Sequence, residues 1–309
     1  AAQGGVFHND DTSMRVMEVA EQVREELASE EERENSGGKG NGGPGQKKKQ
    51  KVRTGCRTSG VLSVNGGRRV ALFVTGRQLA GEALQAVLEE RKHKAPVPIQ
   101  VCDALAHNIP PELATILCSC LVHARRQFVD IRESFPAEVR RVVEELAVVF
   151  RNDAHARKEQ MTPAQRLAWH KEQSGPVMER LYAWMDEGLK SRAVEPNSGL
   201  GQAFRYMRKH REKLTRFLEV EGVPLDNNAC ERALKRAIIH RKNSLFYRTL
   251  RGAHVGDMYM SLLFTAELNG ISPFDYLVAL MRNAKAVAER PSAWMPWNYA
   301  ANMQPPGTS

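Results

Sequence analysis

Strand-forming patterns are confined to the first 122 residues of this 309-residue chain, and that segregation limits the folds open to it. Short runs rich in apolar and β-branched residues predict strands at 5–17, 59–64, 69–75, 99–103 and 115–122. From about 135 to 221 the apolar spacing is helical throughout. This helical block lies between the strand-rich part of the chain and the segment after 221, as an inserted helical subdomain would.

One stretch after this helical block, residues 224–243, combines a well-marked helix with a single acid in basic surroundings. Asp226, Asn227 and Asn228 can cap a helix that begins near 228. At 100° per residue, one face of that helix is apolar and predicted to be buried, with Cys230, Ala233, Leu234, Ala237 and Ile238. Glu231 falls on the rim of this face, and Lys235 and Lys242 follow along the same edge.

Two interpretations of Glu231 follow from these residues. A carboxylate beside lysines suits a metal ion that must approach a phosphodiester, because the acid holds the metal and the lysines hold phosphates. Alternatively, Asn228 as N-cap and Glu231 three residues later form the reciprocal capping pattern of a helix start. The helix by itself leaves both open.

The charge distribution predicts a polyanionic partner. The net charge is +9, and between 204 and 251 thirteen Lys and Arg face five Asp and Glu. Nucleic acid is the first candidate for such a chain. The sequence contains no run of eighteen apolar residues and opens on no signal peptide, so we expect neither a membrane span nor secretion. It begins without Met, as a fragment of a longer protein would.

The five cysteines are odd in number and lie mostly in apolar runs, which indicates a reducing cytoplasm. Cys118, Cys120 and His123 have spacing that a zinc site could use, but no fourth partner is near in sequence. Small buried cysteines in a strand are the commoner interpretation, and we favour it.

Three segments are predicted to be solvated or disordered. Residues 35–53 are rich in Gly and then in Lys, so we expect a flexible loop that either touches a DNA backbone or is simply solvated. Residues 17–34 predict a solvated surface helix. The end, 303–309, is predicted to be disordered.

Three carboxylates on separate elements suit two-metal phosphoryl transfer: Asp10 and Asp103 at predicted strand ends, and Glu231 on its helix rim. Asp11 adjoins Asp10, but successive strand side chains point to opposite faces, so only one of this pair can serve a given site. The acids are 93 and 128 positions apart in the chain, so they can converge only if the intervening residues form a loop and an insertion.

Several runs in this order resemble the catalytic domain of bacterial transposases of the insertion sequence 66 type, in the DDE, RNase H-like group. They are His8-Asn-Asp-Asp-Thr12, Ile99-Gln-Val-Cys-Asp-Ala-Leu105, His123-Ala-Arg-Arg-Gln-Phe128, Glu195-Pro-Asn-Ser-Gly-Leu-Gly201, Pro224 to Leu234, His240-Arg-Lys-Asn243 and the terminal Trp-Met-Pro-Trp-Asn-Tyr. The resemblance implies an α/β fold with an RNase H-like mixed sheet flanked by helices and interrupted by an all-helical insertion. It also implies two Mg²⁺ or Mn²⁺ ions held by Asp10, Asp103 and Glu231. Metal ligation is therefore the favoured interpretation of Glu231, with capping as a compatible second role.

The resemblance divides the chain into a first part of the core at 1–134, a helical insertion at 135–223, a second part of the core at 224–290 and an aromatic tail at 291–309. It implies cleavage at element ends and strand transfer by a freed 3′-hydroxyl, in a bacterial cytoplasm at the nucleoid. We expect DNA, further copies of the chain and other proteins of the element as partners, with phosphates held by Arg125, Arg126, Lys235, Arg241 and Lys242. The alternatives are an inactive DNA-binding remnant or regulator, and a structure-specific nuclease of the same fold.

Overall fold

A computed structural model describes residues 1–36, 52–92 and 94–303, and its centre is a five-stranded mixed sheet. The strand order is β3-β2-β1-β4-β5. The first three strands pair antiparallel, whereas β4 lies parallel to both β1 and β5. The strands are Val6–Met14 (β1), Cys56–Asn65 (β2), Arg68–Gly76 (β3), Ile99–Cys102 (β4) and Ile116–Ser119 (β5). This sheet and its flanking helices confirm the predicted α/β, RNase H-like architecture.

Thirteen α-helices flank or follow these strands in the described part of the chain, together with short 3₁₀ turns at Ala106–Asn108, Arg216–Leu218 and Pro291–Trp294. None of the helices described is both long and apolar enough to cross a membrane. In chain order they are Met17–Ser36 (α1), Ala80–Glu89 (α2), Leu121–Val129 (α3), Pro136–Lys158 (α4), Pro163–Gln173 (α5), Gly175–Lys190 (α6), Gly199–Lys209 (α7), Arg211–Leu214 (α8), Asn228–Ser244 (α9), Leu250–Leu268 (α10), Pro273–Arg282 (α11), Ala284–Glu289 (α12) and Tyr299–Met303 (α13).

Several predicted boundaries are wrong. β1 continues to Met14, so Asp10 lies inside the strand rather than at its end. The apolar run at 115–122 does not stay extended: β5 stops at Ser119 and α3 begins at Leu121. A continuous apolar run reports burial alone, so it could not reveal the point where the buried strand becomes a buried helix.

The spacing of apolar residues predicts helices over 201–221, 256–269 and 273–289. The first and the last of these are interrupted, and the second begins earlier than expected. The helix predicted over 201–221 is broken at His210 and Thr215, and the one over 273–289 is broken at Asn283. In contrast, α10 begins six residues before Gly256, because the hydroxyl of Thr249 accepts a hydrogen bond from the Gly252 amide and caps the helix. Most of the predicted flexible loop, 37–51, and the tail at 304–309 lie outside the described residues.

Helices α4, α6, α7 and α8 share a buried core with the β4–β5 half of the sheet. Val101 and Cys118 from the strands belong to the same buried cluster as Leu146, Tyr182 and Phe204 from the helices. The predicted insertion therefore shares one hydrophobic core with the sheet, and the division at 135 and 223 remains a prediction about chain order.

The outer edge of β3 is covered by α10 through a row of side-chain hydrogen bonds. Alternate backbone amides of the strand each meet one oxygen from the helix. Asn269 accepts from Arg69 at 3.2 Å, Thr265 from Ala71 at 3.0 Å, Ser261 from Phe73 at 2.9 Å and Asp257 from Thr75 at 2.6 Å.

The spacing explains why this row stays in register. Four residues of helix advance about 6.0 Å, and two residues of strand advance about 6.6 Å. Side chains at every fourth helical position can therefore satisfy every second strand amide. The row removes the unpaired donors that make an edge strand prone to pairing with other chains.

Replacing Thr265 by Val, which keeps its shape, tests the contribution of this row. The Ala71 amide and carbonyl would both lose a buried partner, since the Thr265 hydroxyl also donates to the carbonyl at 3.2 Å. We expect the free energy of unfolding to fall by about 1–3 kcal/mol in urea denaturation. Val255→Ala on the exposed side of α10 is the control and should change stability by less than about 0.5 kcal/mol; equal losses would contradict this role.

Candidate active site

The parallel register of β1 and β4 brings the first two predicted acids together. His8 pairs with Val101, so two residues further along each strand Asp10 comes beside Asp103. Both side chains are partly buried, and their charges interact. The first step of the predicted convergence is therefore present in the fold.

The Asp10 carboxyl lies in an environment that disfavours its charge. Burial raises the pKa of Asp10 to about 6, and the nearby carboxylates of Asp103 and Asp11 act in the same direction. The backbone amide of Asp11 donates to Asp10 at 2.9 Å, and the electrostatic interaction with His123 also opposes this rise in pKa. A bound cation would relieve the repulsion between the two acids.

Asp11 occupies the opposite face of β1, as the alternation of strand side chains predicts. Its carboxylate accepts from the Arg57 guanidinium at 2.6 Å and lies 3.8 Å from the His107 ring. Asp11 is thus neutralised by the fold, whereas Asp10 has no cationic partner at ion-pair distance among the described residues.

A buried amide network fixes the turn that carries Asp103. The Asn108 side chain donates to one Asp103 oxygen, and the Leu105 amide donates to the same oxygen at 3.1 Å. The Asn108 carbonyl in turn accepts from Asn9 and from Gln100, each at 2.7 Å. None of these amide partners was singled out from the sequence, because an isolated Asn or Gln carries no distinctive pattern.

The start of α9 is attached directly to β1 by Asn227. Its side-chain oxygen lies 3.1 Å from the His8 ring, and its amide donates to the Asn9 carbonyl at 3.1 Å. Asn227 is also the N-cap position, but its side chain makes no capping bond. The capping interpretation of Asn228 and Glu231 is therefore wrong, because the helix begins one residue earlier and its cap side chain serves the sheet.

Glu231 lies in the first turn of α9, which Asn227 attaches to β1 at Asn9. The neighbouring Cys230 thiol donates to the Gly60 carbonyl at 3.4 Å, and Gly60 is the β2 partner of Asp10. A Cβ on Gly60 would lie 3.0 Å from the Leu234 side chain, so glycine lets α9 lie close to the strand at this point.

His123 is the residue of this site whose place the sequence analysis missed. Its Nδ1 lies 3.6 Å from Glu231 Oε1, and its charge also interacts with Asp10. His123 Nδ1 and Glu231 Oε1 are both buried, and neither has a hydrogen-bond partner. The available clue was position: His123 follows β5, a parallel neighbour of the strand that precedes Asp103, and the carboxyl ends of parallel strands share one edge of a sheet.

The five predicted DNA contacts fall into three environments. Lys235 and Lys242 are exposed on α9, as expected, and neither forms an ion pair with another described residue. Arg241 instead donates to the Thr12 and Ser13 hydroxyls and so anchors the end of α9 to β1. On α3, Arg126 is exposed, whereas Arg125 is half-buried beside Val143 and Phe150 of α4.

Comparison with known proteins supplies the family. The profile of the transposase IS66 family matches residues 43–255, which is more than half of the chain and includes Asp103 and Glu231. The chain belongs to the IS66 family of transposases. Asp10 lies before the matched range, so its assignment depends on the strand register described above.

The similar proteins found for this IS66-family chain are themselves described as uncharacterized. The chain is 29% identical to the uncharacterized protein y4jD of Sinorhizobium fredii over 190 residues, which are 60% of this chain and 36% of y4jD. It is 31% identical to y4qI of the same organism over 186 residues, 59% of this chain and 34% of that protein. The chain therefore spans about a third of the length of these relatives. No solved structure matches it.

Asp10→Asn in this transposase should increase stability at neutral pH when divalent cations are absent. The pKa of Asp10 is raised from 3.8 to about 6 in the folded protein, so wild-type stability falls as pH rises across this interval. At about 1.4 kcal/mol per unit, the gain above pH 6 reaches about 3 kcal/mol.

Urea denaturation in chelator, below and above this pH interval, measures the effect. Asp11→Asn is the matched control on the same strand, and it should lower stability because it breaks the ion pair with Arg57. A loss of stability in Asp10→Asn above pH 6 would show that Asp10 is not held in a repulsive site.

Proposed function

We propose that this chain carries the catalytic centre of a DDE transposase. It would cleave a phosphodiester at the ends of its element and join the freed 3′-hydroxyl to target DNA. What supports the proposal is that Asp10 and Asp103 interact at neighbouring strands, and that Glu231 lies in the first turn of a helix attached to the same strand β1, inside a chain of the IS66 transposase family.

The residues present fit divalent cations. The neighbouring Asp103 carboxylate makes ionisation of Asp10 more costly, and the buried Glu231 Oε1 has no hydrogen-bond donor. Carboxylate oxygens are the ligands that Mg²⁺ and Mn²⁺ prefer. In such a site two cations would make the attacking oxygen more nucleophilic and stabilise the charge on the leaving oxygen.

The chain's own groups would position the DNA around this centre. Lys235 lies one helical turn beyond Glu231, and Lys242 lies two turns further along the exposed side of α9. Both ammonium groups are available to hold phosphates. The hydrogen bonds from Asn108 and Leu105 hold the Asp103 carboxylate in one orientation, and Asn227 holds α9 so that Glu231 stays beside β1.

The chemistry is tested with the full-length protein and labelled duplexes from the two ends of its element, in Mn²⁺. Asp103→Ala and Glu231→Gln should abolish cleavage and strand transfer while DNA binding, measured by mobility shift, is retained. Glu221→Gln, an exposed acid away from the site, is the control and should keep both activities.

Each alternative gives a different result in this assay. Unchanged strand transfer in Asp103→Ala would exclude the proposed site. Cleavage without joining by the wild-type protein would indicate a structure-specific nuclease. Binding with neither reaction would indicate a DNA-binding remnant or regulator.

The DNA contacts are tested separately by salt dependence. Lys235→Ala and Lys242→Ala should each weaken binding to duplex DNA and reduce the slope of log K against log salt by about 0.9, since each removes one phosphate contact. Fluorescence anisotropy over a salt series measures this slope. Lys158→Ala at the end of α4 is the matched control, and an equal reduction there would exclude a specific contact surface on α9.

A further inference from the structure

A mixed set of metal ligands lies at the edge of the proposed catalytic centre. Cys120, His123 and Glu231 each offer one ligand atom, and these three atoms all lie within 4.8 Å of one another. Cys120 precedes the first turn of α3, His123 is in that turn, and Glu231 is in the first turn of α9. Two anchored helices therefore bring the three groups together.

Two of these groups have a buried ligand atom without a hydrogen-bond partner. His123 Nδ1 and Glu231 Oε1 are buried and make no hydrogen bond, although they are 3.6 Å apart. That separation is too long for a hydrogen bond. It is close to the roughly 3.4 Å expected between nitrogen and oxygen ligands in a tetrahedral zinc site, where each lies about 2.1 Å from the ion.

We propose that Cys120, His123 and Glu231 bind a thiophilic divalent cation, with Zn²⁺ as the best fit. The three protein ligands would leave a fourth position for water. Because Glu231 is shared, zinc bound here withdraws it from the Mg²⁺ or Mn²⁺ site and inhibits DNA cleavage. The inhibition rests on the proposed function, whereas the binding of zinc does not.

The donor set favours zinc over magnesium. Sulfur and imidazole nitrogen are ligands for Zn²⁺ and Co²⁺, whereas Mg²⁺ takes oxygen ligands in an octahedral arrangement. Asp10 and Asp103 offer oxygen only. The region thus contains two overlapping sites of different chemistry, joined at Glu231.

Zinc binding requires the Cys120 thiol to lose its proton. Burial raises the pKa of Cys120 to about 11. The backbone amide of Asn227 donates to the sulfur at 3.3 Å and favours the thiolate. When the ion binds, the S–H bond breaks, the proton passes to solvent and the sulfur lone pair forms the bond to zinc. No electron is transferred.

The site differs from the zinc hypothesis based on sequence alone, which grouped Cys118 with Cys120 and His123. Cys118 and Cys120 are two residues apart, but the Cys118 thiol donates to the Ile116 carbonyl at 3.5 Å and is not in the ligand cluster. The third ligand comes instead from α9, more than a hundred residues later. Cys118 therefore provides a matched control.

Titration of the 309-residue chain with Co²⁺ alone tests binding. Wild type and Cys118→Ser should develop the near-ultraviolet thiolate-to-cobalt charge-transfer band, and Zn²⁺ should displace it. Cys120→Ser should lack the band. His123→Ala, which changes a partly exposed side chain and leaves the thiol in place, should weaken cobalt binding at least about tenfold.

Asp10→Asn separates this proposal from the proposed function. It should keep the cobalt band, since Asp10 is not in the cluster, even though it removes a Mg²⁺ ligand. No band in wild type, or an equal band in Cys120→Ser, would overturn the zinc site. A band in wild type that is absent from Cys120→Ser supports it, whatever the DNA assays show.

Inhibition is tested by strand transfer in Mg²⁺ with added Zn²⁺. Relative to its own activity without zinc, Cys120→Ser should need at least about tenfold more zinc for half-inhibition than wild type or Cys118→Ser. The same zinc concentration for all three proteins would overturn the shared use of Glu231.

Discussion

The attachment of α9 along β1 is the constraint on which the candidate site depends. Asn227 bonds to β1 at Asn9, and Arg241 bonds to it at Ser13, so both ends of the helix are held. The strand supplies Asp10 and the helix supplies Glu231. Because secondary structure is stiff over this length, two attachments are enough to fix the relation between acids 221 residues apart in the chain.

The same strand shows how neighbouring acids acquire different roles. Asp11 is paired with Arg57, so its charge is already compensated by the fold. Asp10 shares its side of the strand with another carboxylate, and the pKa of Asp10 is raised. Without a bound cation, the repulsion between Asp10 and Asp103 lowers the stability of the fold. Other contacts of the sheet offset this loss, for example the hydrogen bonds from the edge amides of β3 to α10.

Much of the architecture follows from local patterns. Asn65-Gly-Gly, between the predicted strands at 59–64 and 69–75, is typical of a hairpin turn, and β2 and β3 form that hairpin. The apolar spacing of Cys230, Ala233, Leu234 and Ala237 likewise predicts the buried face of α9. These patterns report burial. Where a run is apolar throughout, as at the β5–α3 junction, they do not distinguish a strand from a helix. The helix breaks at His210 and Asn283 were missed because neither position carries Gly or Pro.

The sequence by itself determined which residues are acidic, which helix face is apolar, and that the chain resembles an IS66 transposase. The tertiary structure decided which groups meet: Asp10 with Asp103 through strand register, and Glu231 with His123 and Cys120 through two helix starts. It also decided that Asn227 serves the sheet and not its own helix. Contacts between distant segments depend on pairing register and packing, and neither is encoded in the local spacing of residues.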